Sequence, residues 1–182
     1  MGIRVVFLVG FMGSGKSAVG RELARRLGWR FVDMDVEIEG REQQSIPEIF
    51  RTKGEAAFRQ AETAALRNFL SNLRQQDSIV SLGGGAVGQE NNRRLLRPWP
   101  TVFLDAPLGE LWKRCQQDAV ERPLGRSLEQ FSHLHEERLP FYREASVTVQ
   151  TSGKTLLSIC SEIEDALRLR AATKNLGAGE CS

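Results

Sequence analysis

The sequence predicts an α/β fold with a parallel sheet covered by helices on both faces, on the strength of three features. Five short β-rich runs recur along the chain: "RVVFLV" (4–9), "WRFVD" (29–33), "SIVSL" (78–82), "TVFLD" (101–105) and "SVTVQ" (146–150). Helical stretches separate them, which implies crossover connections between parallel strands. At 182 residues and 41% hydrophobic composition, the chain fits one domain with a buried core.

In chain order, the first run leads into the glycine-rich "GFMGSGKS", and "KSAVGRELARRLG" follows as a helix. Its apolar residues Val19, Leu23 and Leu27 are spaced by four, and Gly28 ends it. The second run ends in "DMD". The stretch "IPEIFRTKGEAAFRQAETAALRNFLSNL" is long enough for two helices broken near Gly54. It belongs to an insertion, about 34–62, that is larger than a simple crossover requires. The third run is followed by three glycines. Residues 117–127, "QDAVERPLGRS", combine Pro, Gly and charge and read as an exposed, mobile lid. The reading is therefore a single domain over 1–170 and a disordered tail over 171–182, where "AATKNLGAGECS" has little to bury.

Composition limits the function classes. The balance of 25 basic and 23 acidic residues gives a net charge of +2, too mild for a nucleic-acid-binding face. Of the basic residues 20 are arginine, which suits planar anions only where individual arginines are placed for it. Cys115, Cys160 and Cys181 form no C-x-x-C pair and no even framework, which fits a reducing cytoplasm. No apolar run approaches the roughly 20 residues that span a bilayer. The start lacks a small-residue cleavage site and runs into Lys16, so a soluble, unprocessed protein without membrane association is expected. His133 and His135, two apart on a helix, splay away from each other and make a poor metal pair.

The glycine-rich stretch carries the first chemistry. Gly10, Gly13, Gly15, Lys16 and Ser17 satisfy G-x-x-x-x-G-K-[ST] between a strand and a helix, the pattern of a phosphate-binding loop. Glycines let successive backbone N–H groups turn toward a phosphate, and the helix N-terminus adds its dipole. Lys16 reaches the β- and γ-phosphates, and the Ser17 hydroxyl is available to Mg²⁺. In "DMD", two-residue periodicity puts Asp33 and Asp35 on one side of a strand end. One can hold hydrated Mg²⁺ while the other accepts a proton from an attacking hydroxyl. Gly83, Gly84 and Gly85 stand where many ATPases end a strand in a metal-binding Asp, and they form a floor for close approach of a substrate. Arg122 in "VERPLG" can swing over the phosphates. Arg59 and Arg138 lie on separate helices, where surface ion pairing competes with substrate capture.

Together "GFMGSGKS", "DMD", "GEAAFR", "LGGGA", "ERPL" and "RLPFY" resemble the shikimate kinase family in order and approximate spacing, over residues 3 to about 168. The resemblance implies a five-stranded parallel sheet in the order 2-3-1-4-5, like that of nucleoside monophosphate kinases, in a monomer. It implies transfer of the γ-phosphoryl group of ATP to the 3-hydroxyl of shikimate, in aromatic amino acid synthesis, with Mg²⁺. Lys16, Asp35 and Arg122 would be catalytic. Gly13, Ser14, Gly15, Lys16, Ser17 and Ala18 would bind ATP with Arg122, and Arg114 would stack on adenine. Asp35, Arg59, Gly83, Gly84, Gly85 and Arg138 would bind shikimate, the two arginines as a fork for its carboxylate. Ser17 and Asp33 would face the metal. A gluconate kinase is the second enzymatic reading. A non-catalytic nucleotide-responsive module is the reading from another class, and it leaves Asp35, Arg59 and Arg138 without a role.

Overall fold

Along the first apolar run, alternation sends Val5, Phe7 and Val9 to one side and Val6 and Leu8 to the other. All five are buried, so this strand needs cover on both faces. A computed structural model of the chain, describing residues 4–73, 76–117 and 127–169, supplies that cover. Strands β1 (Val5–Val9), β2 (Arg30–Asp33), β3 (Ser78–Ser81), β4 (Thr101–Asp105) and β5 (Val147–Gln150) form one parallel sheet. Their order is β2-β3-β1-β4-β5, as the family resemblance implied.

Helix α1 (Lys16–Leu27) places Val19, Leu23, Ala24 and Leu27 against one face, where Ile159, Cys160 and Ile163 of α7 (Leu156–Leu167) join them. The expected stop at Gly28 is a left-handed cap with φ 68°. The other face is covered by α2 (Met34–Glu42), α3 (Ile46–Ser71), α4 (Glu90–Leu96), α5 (Leu108–Gln117) and α6 (Leu128–Tyr142). Phe58, Leu66, Leu96, Leu111, Phe131 and Tyr142 build that core. The expected break near Gly54 is a kink (φ 81°, ψ 170°) inside α3.

One element differs from the sequence reading. The second strand ends at Asp33 and α2 begins at the next residue, so the strand does not continue to Asp35. The Asp33 carboxylate accepts the Asp35 N–H at 3.2 Å and caps the helix, and this local bond outweighs further extension. Residues 118–126 and 170–182 lie outside the described residues, so the expected lid, apart from its ends, and the expected tail do too. Among the described residues no helix is long and apolar enough to cross a membrane.

Behind the three glycines that follow β3 sits a buried polar network. The Thr63 hydroxyl of α3 donates to Asn92 Oδ1 of α4 at 2.8 Å, and Asn92 Nδ2 donates to the Ala86 carbonyl at 3.0 Å. Ala86 opens a 3₁₀ turn (Ala86–Gly88) directly after the three glycines. Asn92 is completely buried, so its removal takes a hydrogen bond from each of two sheltered polar groups and leaves a cavity. Asn92→Ala should therefore cost about 2–4 kcal/mol of stability. Urea unfolding measures this, and a cost below about 0.5 kcal/mol would contradict the network's role.

Candidate active site

The loop after β1 bends through Gly13 (φ 77°) and Gly15 (φ 89°), left-handed conformations that L side chains rarely adopt. Lys16, the first residue of α1, folds back across it and donates from Nζ to the Gly10 carbonyl at 2.8 Å and the Phe11 carbonyl at 3.1 Å. The ammonium is thereby fixed over the loop. The loop opens into a cleft of about 1020 Å³ that runs across the C-terminal ends of β1, β2 and β3. Gly13, Gly15, Lys16, Ser17 and Ala18 line the phosphate side, and Ser14 is buried beneath them.

Asp33 and Asp35 do converge in this cleft, by a route other than strand alternation. Asp33 closes β2, and its two oxygens have separate partners: Oδ1 accepts the Asp35 N–H and Oδ2 accepts the Ser17 hydroxyl at 2.8 Å. Asp35 stands in the first turn of α2. Burial, with the neighbouring Asp33 charge, pushes the Asp35 carboxyl up to about 6, while Lys16 pulls the other way. The pair Ser17 and Asp33 offers two hard oxygen donors beside the phosphate loop, a set that fits Mg²⁺ completed by phosphate and water. Among the described residues no cluster of three or more His, Cys, Asp or Glu could enclose a metal unaided.

The three glycines after β3 form the opposite wall, and their lack of side chains makes room for charge. A β-carbon on Gly83 would lie 2.8 Å from both Asp35 Oδ1 and Glu62 Oε1. One on Gly85 would lie 2.5 Å from both terminal nitrogens of Arg59, and one on Gly84 would lie 3.6 Å from Arg138 Nη1. Arg59 and Arg138 thus reach one floor from α3 and α6, as the sequence suggested, but their charge balance differs. Arg59 is ion-paired to Glu55 at 3.1 Å and to Glu62 at 2.9 Å. Arg138 has no carboxylate partner among the described residues and lies over the Phe11 ring at 5.8 Å. Burial lowers its pKa, while Tyr142 favours the charged form.

Arg114 sits on the nucleotide side, donating to the Gly13 carbonyl at 3.3 Å and pairing with Glu110 at 3.1 Å. Arg122 lies outside the described residues. His133 is beside Glu137, and His135 packs edge-on against Phe11. Sequence reasoning passed over Glu62, which is 3% exposed and whose pKa burial raises. Its spacing of three from Arg59 on a helix was the available signal. Gln89 donates to the same Glu62 oxygen at 2.8 Å.

A phosphate loop facing a half-buried carboxylate and two arginines across one cleft is the arrangement of a small-molecule kinase of the P-loop class. The comparisons narrow that class: the shikimate kinase family model matches residues 12–168, and the chain belongs to the shikimate kinase family. It is 41% identical to the shikimate kinase of Persephonella marina over 91% of this chain and 100% of that protein. The shikimate kinase of Acinetobacter baumannii, solved in complex with shikimate, superposes with a TM-score of 0.84 at 34% identity, over 91% of this chain and 93% of that one. The Aquifex aeolicus shikimate kinase superposes with a TM-score of 0.78 at 37% identity, over 90% and 96%.

The raised Asp35 carboxyl sets a pH test. Between its usual value of 3.8 and about 6, the folded chain binds more protons at this site than the unfolded chain. Stability contributed there falls as pH rises through that window. Asp35→Asn should thus raise the melting temperature at pH 7.5, with the gain vanishing near pH 4, while activity is lost. Thermal unfolding across pH checks the sign; an unchanged or lower melting temperature at pH 7.5 would contradict it.

Proposed function

We propose that this protein transfers the γ-phosphoryl group of ATP to the 3-hydroxyl of shikimate, giving shikimate 3-phosphate and ADP in aromatic amino acid synthesis. The observation that carries the acceptor assignment is Arg138, a half-buried guanidinium on the cleft floor without a carboxylate partner among the described residues. Such a charge suits a ligand that brings its own carboxylate. Arg59 converges on the same floor from the other side. Membership in the shikimate kinase family supports the same substrate.

In the reaction, Arg138 and Arg59 hold the acceptor carboxylate against Gly83, Gly84 and Gly85. Asp35 orients the reacting hydroxyl and takes its proton as the oxygen attacks phosphorus. A carboxyl poised near 6 is ionised at neutral pH yet basic enough to accept that proton. Backbone N–H groups of the loop 13–18 cradle the donor phosphates, Lys16 bears on the transferred group, and Arg114 faces the adenine. Ser17 and Asp33 would hold Mg²⁺, which would supply neutralisation of charge on the donor phosphates. Residues 34–62 act as the acceptor-binding insertion. Residues 117–127 act as a lid that carries Arg122 onto the phosphoryl group and excludes water. The enzyme works as a cytoplasmic monomer within a single domain over 1–170, with 171–182 as a tail.

Coupled ADP release with shikimate and with gluconate tests the reading: turnover should require shikimate. Arg138→Lys and Arg59→Lys should each raise the shikimate KM about 10- to 150-fold, because lysine cannot give the two-point contact. The ATP KM should hardly move, and the carboxamide analogue should be a poor substrate of the parent enzyme. Equal use of acid and amide would exclude the carboxylate fork. For the lid, Arg122→Ala should lower kcat far more than it weakens shikimate binding, since it acts on charge that develops during transfer. A raised shikimate KM at unchanged kcat would move Arg122 to acceptor capture.

A further inference from the structure

Tyr142 is the chain's single tyrosine, and no step described above uses it. It closes α6 one turn beyond Arg138, so both side chains leave the same face of that helix. The residue is completely buried and its ring stacks on Phe103 of β4, with centroids 5.2 Å apart and planes 21° apart. A phenylalanine would fill that place equally well. The hydroxyl is what requires a reason, because burying one costs free energy unless it is hydrogen-bonded.

It is bonded on one side and faces a charge on the other. The phenol donates to the Gly84 carbonyl, and the Arg138 guanidinium stands beside that same residue. A β-carbon on Gly84 would lie 3.6 Å from Arg138 Nη1 and 3.7 Å from the Tyr142 hydroxyl, so all three groups meet at one point of the floor. Arg138 is otherwise loosely restrained. Its further described contact is the Phe11 ring, whereas Glu55 and Glu62 hold Arg59. An arginine that must order itself on binding loses rotamer freedom at that moment; one fixed beforehand does not.

We propose that Tyr142 is a positioning residue whose hydroxyl ties the Arg138 guanidinium to the Gly84 carbonyl, presetting the arginine to receive the acceptor's carboxylate. This rests on the reading of Arg138 given above. The hydroxyl has one proton and gives it to the carbonyl, so its lone pairs face the guanidinium. Phenylalanine removes the hydroxyl, with its bond to Gly84, and keeps the stack. Phe103→Leu does the converse, weakening the stack and leaving the hydroxyl.

The test is a double-mutant cycle in the full-length enzyme, with shikimate binding measured by calorimetry beside steady-state kinetics. Tyr142→Phe should weaken shikimate binding about 10-fold, with the ATP KM within about twofold of the parent. In an Arg138→Gln background the same change should have no further effect on shikimate, because the hydroxyl acts through the arginine. Phe103→Leu should lower stability without moving the shikimate affinity. An unchanged affinity in Tyr142→Phe, or a full additive loss in the Arg138→Gln background, overturns the proposal while leaving Arg138 in its role. If Arg138→Gln alone leaves shikimate binding intact, the reading of Arg138 fails and this proposal falls with it. A second measurement covers poor folding of Tyr142→Phe. Biosynthetic 3-fluorotyrosine labels this one position, and its fluorine resonance should shift on adding shikimate to the enzyme but not to the Arg138→Gln variant. A resonance indifferent to shikimate overturns the proposal.

Discussion

The hydrogen bonds between β1 and β3 join the two halves of the site. The parallel register pairs Leu8 with Ser81, and the Leu82 N–H then donates to the Leu8 carbonyl at 3.1 Å. Two residues beyond each partner the strands give way to glycine, Gly10 on one and Gly83 on the other. A β-carbon on Gly84 would lie 3.6 Å from the Gly10 carbonyl, the same oxygen that Lys16 holds at 2.8 Å. The phosphate loop and the glycine floor therefore touch along the sheet edge. A slip of the register by one residue would turn every side chain of a strand to the other face and separate them.

Packing on both faces of the sheet fixes that pairing, and the helices that pack there also carry the charges. α2 brings Asp35, α3 brings Arg59 and Glu62, and α6 brings Arg138, each beside residues of the larger core. Charges held this way are poorly solvated, and their properties follow from their neighbours. Asp35 is raised by burial and by Asp33. Glu62 is raised by burial and steadied by Arg59 and Gln89. The two arginines of the floor are unequal: Arg59 is paired with two carboxylates, while Arg138 has no carboxylate partner among the described residues.

Much of this was legible in the sequence. Five strand runs, the glycine break at Gly54, the cap at Gly28 and the phosphate loop all depend on residues close together in the chain, and each appears where spacing put it. Asp33 and Asp35 were named correctly as neighbours in the cleft, yet through the wrong local structure. Alternation along a strand and capping of a helix both bring residues i and i+2 together, and a short "DMD" does not distinguish them. Tyr142 was passed over because a tyrosine at a helix end has no local signature, and Glu62 because a spacing of three from Arg59 signals an ion pair but not burial. Their burial becomes visible only with the glycines and Arg138 opposite them.

The sequence by itself determined the class of chemistry, since glycine backbone freedom, a lysine at a helix start and a following serine act within one turn of chain. It also determined the α/β alternation, because hydrophobic runs and their lengths are local properties. Tertiary structure decided which charges are neutralised. Arg59 and Arg138 look alike as letters, and only the convergence of α3 and α6 on the Gly83–Gly85 floor leaves one held by Glu62 and the other without a carboxylate partner among the described residues. Coulomb attraction and desolvation depend on distance and burial in space, and no spacing along the chain encodes them.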